Sequence, residues 1–237
     1  MKVTKREILV SICIIAMMIV FGFLISNEIW NRKNDKNAEY NKAIKIETQD
    51  LFQYGMGTNA GNAFVYGKLK AVDSVTYPEI SGEYVYIKKV KERYTMHTRT
   101  VTTGTGKNCH TRTETYWTWD EIQSEEIHSS KITFLEIEFD YSKIEMPAAE
   151  YIDMIQESVS IRYKYYGCKN EYVGTIYTDL RNNTISDKTK FYEMDMNETI
   201  KYLESRPYEI VFWSIWILFT IGLVYAFCYF ENRWLDD

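Results

Sequence analysis

Two uncharged apolar runs at opposite ends of the chain constrain its fold more than any other feature. The first covers residues 8–25 and the second covers residues 210–230, which gives lengths of 18 and 21 residues. A helix that crosses about 30 Å of hydrocarbon needs about 20 apolar residues. Each run is therefore predicted to form one membrane-spanning helix.

The first run could also belong to a cleaved signal peptide, because Lys2, Lys5 and Arg6 form a basic segment in front of it. However, the run is longer than the usual apolar core of a signal peptide, and no small-residue cleavage site follows at residues 26–28. The pattern favours an uncleaved anchor.

Basic residues near the runs predict the orientation. Four of them lie on the two outer tails and seven lie on the inner flanks. Because basic flanks tend to stay in the cytoplasm, we expect a two-pass protein of the cell membrane with a cytoplasmic middle region.

The middle region, residues 31–206, is long enough for one well-buried domain. It carries 24 basic and 27 acidic residues, a net charge of −3, within a chain of net charge −5. This balance disfavours general polyanion binding. The predicted division is an N-terminal tail and span (1–30), a polar helical stalk (31–54), a β-rich sensor domain (55–206), and a second span with a short tail (207–237).

Strand signals dominate the middle region. Segments rich in Val, Ile, Thr, Tyr and Trp predict strands over residues 63–72, 82–102, 110–122 and 131–141, with a further strand pair over 160–178. Short helices are expected over residues 148–157 and 197–204. The predicted class is a membrane protein of α+β type, with two terminal helices flanking one mostly β domain.

The most informative segment is residues 93–119, where the turn sequence TTGTGKN joins two alternating Thr-rich arms and predicts a β-hairpin. Alternation places Arg93, His97 and Arg99 on one face of the first arm. On the second arm it places His110, Arg112, Glu114 and Tyr116 on one face. Whether the two basic rows lie together depends on the register, which a one-residue slip would reverse.

Two interpretations of this hairpin stay open. If the rows share a face, they form a cationic strip with neighbouring aromatic rings, which suits an anionic nucleotide or single-stranded DNA. The predicted ligand-binding set is Arg93, His97, Arg99, Lys107, His110, Arg112, Tyr116 and Trp117. Alternatively, Arg99 and Arg112 pair with carboxylates such as Glu114, and Trp117 and Trp119 pack in the core.

Catalytic and metal motifs are weak. The four cysteines contain no C-x-x-C pair and the chain has three histidines, so no metal or other cofactor is expected. Cys109 and His110 are neighbours on a strand and point to opposite faces, which rules out a dyad between them. A disulfide between Cys109 and Cys168 stays open if the domain is extracellular. The pattern favours a protein that is not an enzyme.

Glu28 and Glu209 bracket the two runs on the side of the middle region. In a symmetric oligomer they would ring a pore mouth and favour cations. The alternative is that both are ordinary hydrated interface residues. Two spans cannot enclose a pore, so a channel requires a homo-oligomer.

The strand segments resemble the GIDE or BAM ("beside a membrane") domain, which lies between two spans in membrane-anchored ubiquitin ligases and bacterial relatives. The resemblance rests on GKLKAV at residues 67–72, SG at 81–82, the strand at 84–93, the aromatic-basic stretch at 111–119 and the strand at 132–139. No RING-type Cys/His cluster follows the second run, so ligase activity is not implied.

The layout is also similar to the two-span membrane effectors of bacterial antiphage systems, such as the Hailong system. That resemblance implies a homo-oligomeric, ligand-gated channel or membrane-disrupting subunit, which a partner enzyme activates by producing the signal. The alternative is a non-conducting scaffold whose domain binds another protein at the lipid bilayer.

Overall fold

The computed structural model describes residues 5–104, 109–205 and 207–236, with side chains as far as residue 231. The chain divides into two compact units. A helical unit combines the residues up to Ala43 with those from Asn197 onward, and a β unit consists of Ile44–Met196. The predicted α+β class, with terminal helices flanking a mostly β domain, is confirmed.

The helical unit contains α1 (Lys5–Lys42), α3 (Met196–Glu204) and α4 (Tyr208–Asp236). Both apolar runs form helices that are long and apolar enough to cross a membrane, by length and composition. The predicted stalk is helical up to Lys42, and its residues from Ile44 onward belong to the β unit.

Helices α1 and α4 run antiparallel and approach closely at Gly22. The indole N–H of Trp216 donates a hydrogen bond of 2.9 Å to the backbone carbonyl of Met18. A Cβ atom on Gly22 would lie 2.6 Å from Nε1 of Trp216 and 3.0 Å from the ring of Trp213. Phe23 packs edge-to-face on Trp213 at 5.4 Å. A small residue at position 22 therefore allows the two tryptophans to reach α1.

The β unit contains eleven strands among the described residues. They are β1 (Ile44–Ile46), β2 (Gly61–Ala71), β3 (Tyr84–Thr103), β4 (His110–His128), β5 (Lys131–Phe134), β6 (Ile137–Asp140), β7 (Ile144–Glu145), β8 (Glu150–Ser158), β9 (Ile161–Lys169), β10 (Glu171–Leu180) and β11 (Thr189–Tyr192). One short helix, α2 (Gln49–Gly57), precedes β2.

The first sheet has the order β6-β5-β2-β10-β11-β7, and β1 pairs parallel to β2. Strand β2 lies inside this sheet, and its Ala63, Phe64, Val65 and Leu69 are fully buried. Phe52 of α2 joins the same core. The main hydrophobic core therefore lies between α2, the first sheet and the inner ends of the second sheet's strands.

The second sheet has the order β4-β3-β9-β8. Strands β3 and β4 pair antiparallel from Thr103↔His110 to Tyr86↔His128. A bulge interrupts this ladder, because Lys91 lies opposite Gln123 and Glu92 lies opposite Glu121, which leaves Ile122 as the extra residue. Such a bulge bends the strand and increases its local twist.

The prediction of a helix over residues 148–157 was wrong, because this segment is the edge strand β8. Ile152 and Ile155 both pack on the small cluster of Ile80, Ile87 and Tyr165. Their three-residue spacing is typical of a helix, but here it results from the register shift at Tyr151/Asp153, which makes Ile152 the extra residue. A bulge of this kind interrupts the regular alternation of side chains between the two faces of the strand.

The predicted strand over residues 131–141 is two strands, β5 and β6. Leu135 and Glu136 form the turn between them, with φ angles of 47° and 61°. Both lie in the left-handed region, which a two-residue hairpin of type I′ requires. Neither residue type favours this conformation, so the turn was absent from the sequence pattern.

Asp73 fixes the turn that leads from β4 to β5. Its carboxylate accepts hydrogen bonds from Ser129 Oγ (2.6 Å), Ser130 N (2.9 Å), Ser130 Oγ (2.7 Å) and Lys131 N (3.1 Å). The bond from Ser129, followed by those from Ser130, holds the pKa of Asp73 well below its usual value of 3.8. The charged form of Asp73 thus connects the end of the first sheet's β2 to the end of β4.

We expect Asp73→Asn to lower the melting temperature of the full chain at neutral pH, because an amide cannot replace four hydrogen bonds to a carboxylate. A carboxyl whose pKa is lower in the folded state stabilises the fold above its unfolded pKa, near 3.8, and loses this contribution as the pH falls further. The difference in melting temperature between the Asp73→Asn variant and the unaltered chain should therefore become smaller below that pH. Thermal unfolding followed by near-ultraviolet circular dichroism measures both melting temperatures. Asp187→Asn is the control, since Asp187 makes one exposed ion pair, with Lys143, where Asp73 accepts four hydrogen bonds. An equal effect of both changes would contradict the prediction.

The α1–α4 packing predicts a specific cross-link. Ser11 Oγ lies 3.8 Å from Cys228 Sγ, so Ser11→Cys should form a disulfide with Cys228 under mild oxidation. Adding Gly22→Leu should abolish it, because the new side chain would overlap Trp216. Cutting the purified chain between the helices and running non-reducing gels detects the bond.

The control for this cross-link is Gly222→Leu in α4. A Cβ atom at Gly222 meets no described atom within 4 Å, so this variant should retain the disulfide. Loss of the bond in both leucine variants would refute the role given to Gly22. Cys13→Ala in every protein removes the nearby competing thiol.

Candidate recognition arm

Strands β3 and β4 extend beyond the rest of the second sheet. The pairing of β3 with β9 ends at Arg93↔Ile161, whereas the pairing with β4 continues to Thr103↔His110. We name residues 94–103 and 110–119 the recognition arm. Ten strand residues span about 33 Å, so the arm is a long two-stranded ribbon.

The register brings the two predicted basic rows onto one face of the arm. Directly opposed pairs share a face, and they include His97↔Tyr116, Arg99↔Glu114 and Val101↔Arg112. We call this the basic face. At the base of this face Arg93 lies opposite Asp120. At its outer end His110 lies opposite Thr103. Lys107 lies outside the described residues.

Carboxylates on the same face neutralise much of this charge. Glu114 accepts hydrogen bonds from Arg99 (2.9 Å) and from Arg112 (2.5 Å). His97 Nε2 lies 2.5 Å from Asp120 Oδ2, and this contact lowers the pKa of Asp120. These contacts match the alternative interpretation, in which the arginines pair with carboxylates.

A net positive charge nevertheless remains on the basic face. The three arginines and two carboxylates give 3 − 2 = +1 with neutral histidines. Within the described parts of the chain, Arg93 has no carboxylate within 4.0 Å. Further out on the same face His97 and Tyr116 stack at 5.4 Å, and the guanidinium of Arg99 lies 5.9 Å from the centre of the Tyr116 ring. This part of the face offers a cation and a π-surface together.

The opposite face of the arm is aromatic. Tyr94 stacks on Trp117 at 5.2 Å and contacts Trp119 at the same distance. Tyr94, Met96 and Trp117 are 39%, 54% and 53% exposed, so Trp117 does not lie in the core. We call these three residues and Trp119 the aromatic face. The predicted ligand set is therefore divided, because Trp117 and the basic residues point to opposite sides.

An ion-pair network fixes the base of the arm. The carboxylate of Glu92 lies 2.5 Å from Arg162 and 3.0 Å from Lys164 of β9. Arg162 also covers the ring of Trp119 at 4.2 Å. Burial opposes the charge of Glu92, but the bonds from Lys164 and Arg162 outweigh it and lower the pKa. This network joins the aromatic face to the body of the sheet.

The predicted pore-mouth residues lie in the helical unit. Glu28 is in α1 and forms an ion pair of 2.9 Å with Arg32, one turn further along. Glu209 lies in the first turn of α4, where the helix dipole favours a negative charge. Each position has a local partner or field that stabilises the carboxylate.

Sequence reasoning missed a cavity of 720 Å³ in the β unit. His128 and Tyr141 stack in its wall at 4.2 Å, and Tyr86 and Cys168 also line it. Burial raises the pKa of Cys168 to about 11 and that of Tyr141 to about 12. The thiol therefore stays protonated and donates to Pro147 O at 3.3 Å. The wall residues come from separate segments, so no local motif signalled the cavity.

Cys109 and Cys168 are both free, so the disulfide that the sequence left open is not formed. Cys109 is exposed and Cys168 is buried. Across the residues whose side chains the structure describes, no three His, Cys, Asp or Glu side chains are grouped closely enough to hold a metal ion.

No known protein family, curated protein or solved structure matches this chain. The resemblances to the GIDE or BAM domain and to two-span antiphage effectors therefore stay predictions.

We expect Glu114→Gln to strengthen binding of a single-stranded oligonucleotide to the full chain, because the change releases Arg99 and Arg112 and raises the net charge of the basic face to +2. The gain should be about tenfold at low salt, the size of one charge-assisted hydrogen bond. Fluorescence anisotropy at several salt concentrations measures it. Glu138→Gln, a substitution in β6 outside the arm, is the matched control, and unchanged affinity in the Glu114 variant would show that the arginines do not contact the polyanion.

Proposed function

We propose that the chain is a two-pass membrane protein, not an enzyme, which acts as a homo-oligomer and uses its middle domain to sense a ligand or partner. The main support is the exposed apolar surface of α1 and α4. Leu9, Phe23, Ile210 and Leu218 are each at least 64% exposed, and the helices bury almost none of their apolar windows. Apolar surface of this extent requires lipid or other chains around it.

In this proposal each chain contributes one pair of antiparallel helices, α1 and α4, to the assembly. Trp216 and Gly22 hold the two helices together. The other sides of the pair are free to contact lipid or neighbouring copies. Several helix pairs arranged in a ring would enclose a pore. Ion conduction through this pore is the effector activity that we propose for antiphage defence.

The recognition arm would read the signal. A phosphate that binds Arg99 and Arg112 must displace Glu114, so ligand binding exchanges one anion for another. The stacked pair of His97 and Tyr116, with Arg99 near the Tyr116 ring, would hold the base of an anionic nucleotide or single-stranded DNA, and Arg93 at the base of the arm would attract its charge. Such a ligand opens the pore only if it binds the open assembly more tightly than the closed one.

A specific observation favours a second function, that of a non-conducting scaffold. Ser214 and Thr220 in α4 donate to carbonyls of their own helix, Ile210 O and Trp216 O, both at 2.8 Å. Hydroxyls that donate to their own helix in this way do not require water, so α4 can lie entirely in an apolar environment. In this alternative the aromatic face binds another protein at the membrane surface, as exposed Tyr and Trp do at many interfaces.

Planar-bilayer recording separates the two functions. For a pore, purified protein should conduct in the presence of a candidate nucleotide, and Glu28→Gln should reduce the preference for cations measured from reversal potentials. Glu39→Gln in the same helix is the control, since Glu39 lies three turns away and pairs with Lys36. Oligomeric particles without conductance would support the scaffold, whereas extraction of the protein by alkaline carbonate would refute both.

A further inference from the structure

The outer edge of β4 in the recognition arm is regular and open, and its charged side chains are one of each sign, Arg112 and Glu114. β4 is the terminal strand of the second sheet. Its arm segment, HTRTETYWTW, contains no Lys and no Pro, and its register with β3 is uninterrupted up to the bulge. Thr, Tyr and Trp favour extended structure. A long, regular edge of this composition is a template for another strand.

The opposite edge of the same sheet is protected. Strand β8 has two register shifts, at Tyr151/Asp153 and at Gln156/Ser158. Irregular pairing along an edge opposes the addition of a further strand. The β8 edge is therefore blocked, and two edges of the arm are open, that of β4 and that of β3 beyond Arg93.

We infer that the open edge of β4 pairs antiparallel with the same edge of a second copy of this chain. The two-fold axis passes between the two Thr113 residues, which lie opposite each other, and we call it the axis through Thr113. This inference rests on the proposed homo-oligomer and specifies one of its contacts. In this register Arg112 lies opposite Glu114 of the second copy, and Glu114 lies opposite its Arg112. Opposite charges in direct cross-strand pairs stabilise a sheet.

The charge pattern selects this axis over its neighbours. An axis through Arg112 or through Glu114 would place two like charges opposite each other. The free edge of β3 fits less well, because its arm segment, residues 94–103, carries His97 and Arg99 but no carboxylate that could pair with them across an axis. The axis through Thr113 also pairs Thr with Thr and His with Tyr.

The remaining pairs around this axis are His110 with Tyr116 and Thr111 with Thr115. All of these residues except Glu114 are exposed in the single chain. Pairing over residues 110–116 would join two arms into a four-stranded sheet. Because the axis is perpendicular to that sheet, both aromatic faces would lie on the same side of it.

Cysteine cross-linking of the full chain in detergent tests the register. All proteins carry Cys109→Ser, which removes the exposed thiol next to the arm. Thr113→Cys should give a disulfide-linked dimer on a non-reducing gel. Directly opposed strand residues have Cα atoms about 4.5–5.5 Å apart, within the range that a disulfide bridges.

The control variants are Thr111→Cys and Thr115→Cys. Each variant alone should give no dimer, because the equivalent cysteines of the two copies lie four residues, or about 13 Å, apart along the strands. A mixture of the two should form a dimer, since these positions face each other across the axis. The Cys109→Ser protein alone should remain monomeric on the gel.

Arg112→Glu in the Thr113→Cys protein should reduce the dimer yield several-fold, and adding Glu114→Arg should restore it. A dimer from Tyr116→Cys in place of Thr113→Cys would overturn the inference by assigning a different axis. Particle mass in lipid nanodiscs separates this result from the proposed function: a ring without the Thr113 cross-link overturns the contact alone, and monomers overturn the homo-oligomer.

Discussion

The register of β3 against β4 determines the chemistry of the β unit. It places Arg99 and Arg112 on one carboxylate, Glu114, and it places Tyr94 beside Trp117 on the other side. A slip of one residue would bring basic and aromatic side chains to the same face. The pairing of β3 with β9 fixes the first half of the hairpin, and the network of Glu92 with Arg162 holds its base. The arm therefore has two chemically distinct faces on a supported base.

Much of this fold could be predicted from the sequence, because its signals are local. The two apolar runs, the Thr-rich hairpin and the strands from 160 to 178 follow from hydrophobic length, alternation and turn residues. The β3–β4 register could not be predicted, since both arms alternate in the same way in either register. The helix expected over residues 148–157 was wrong, because this segment is a strand whose bulges interrupt the regular alternation. The cavity beside Cys168 was missed because its wall is assembled from residues distant in the sequence.

The helical unit illustrates the same limit. Length and hydropathy predicted two apolar helices but carried no information on how they pack. That information is in the contact of Gly22 with Trp216, where a missing side chain on one helix matches a large ring on the other. The hydrogen bond from the indole N–H to Met18 O satisfies a polar group that hydrocarbon would leave without a partner. Together they give the helix pair a defined rotation about its axes.

The extra residue Ile122 links the direction of the arm to its chemistry. On the inner side of the bulge Lys91 lies opposite Gln123, and if that ladder continued without a bulge His97 would lie opposite Trp117 instead of Tyr116. The same insertion that bends the strand therefore also keeps the basic and aromatic side chains on separate faces. Removal of Ile122 alone would change the direction of the ribbon while every opposed pair stayed intact.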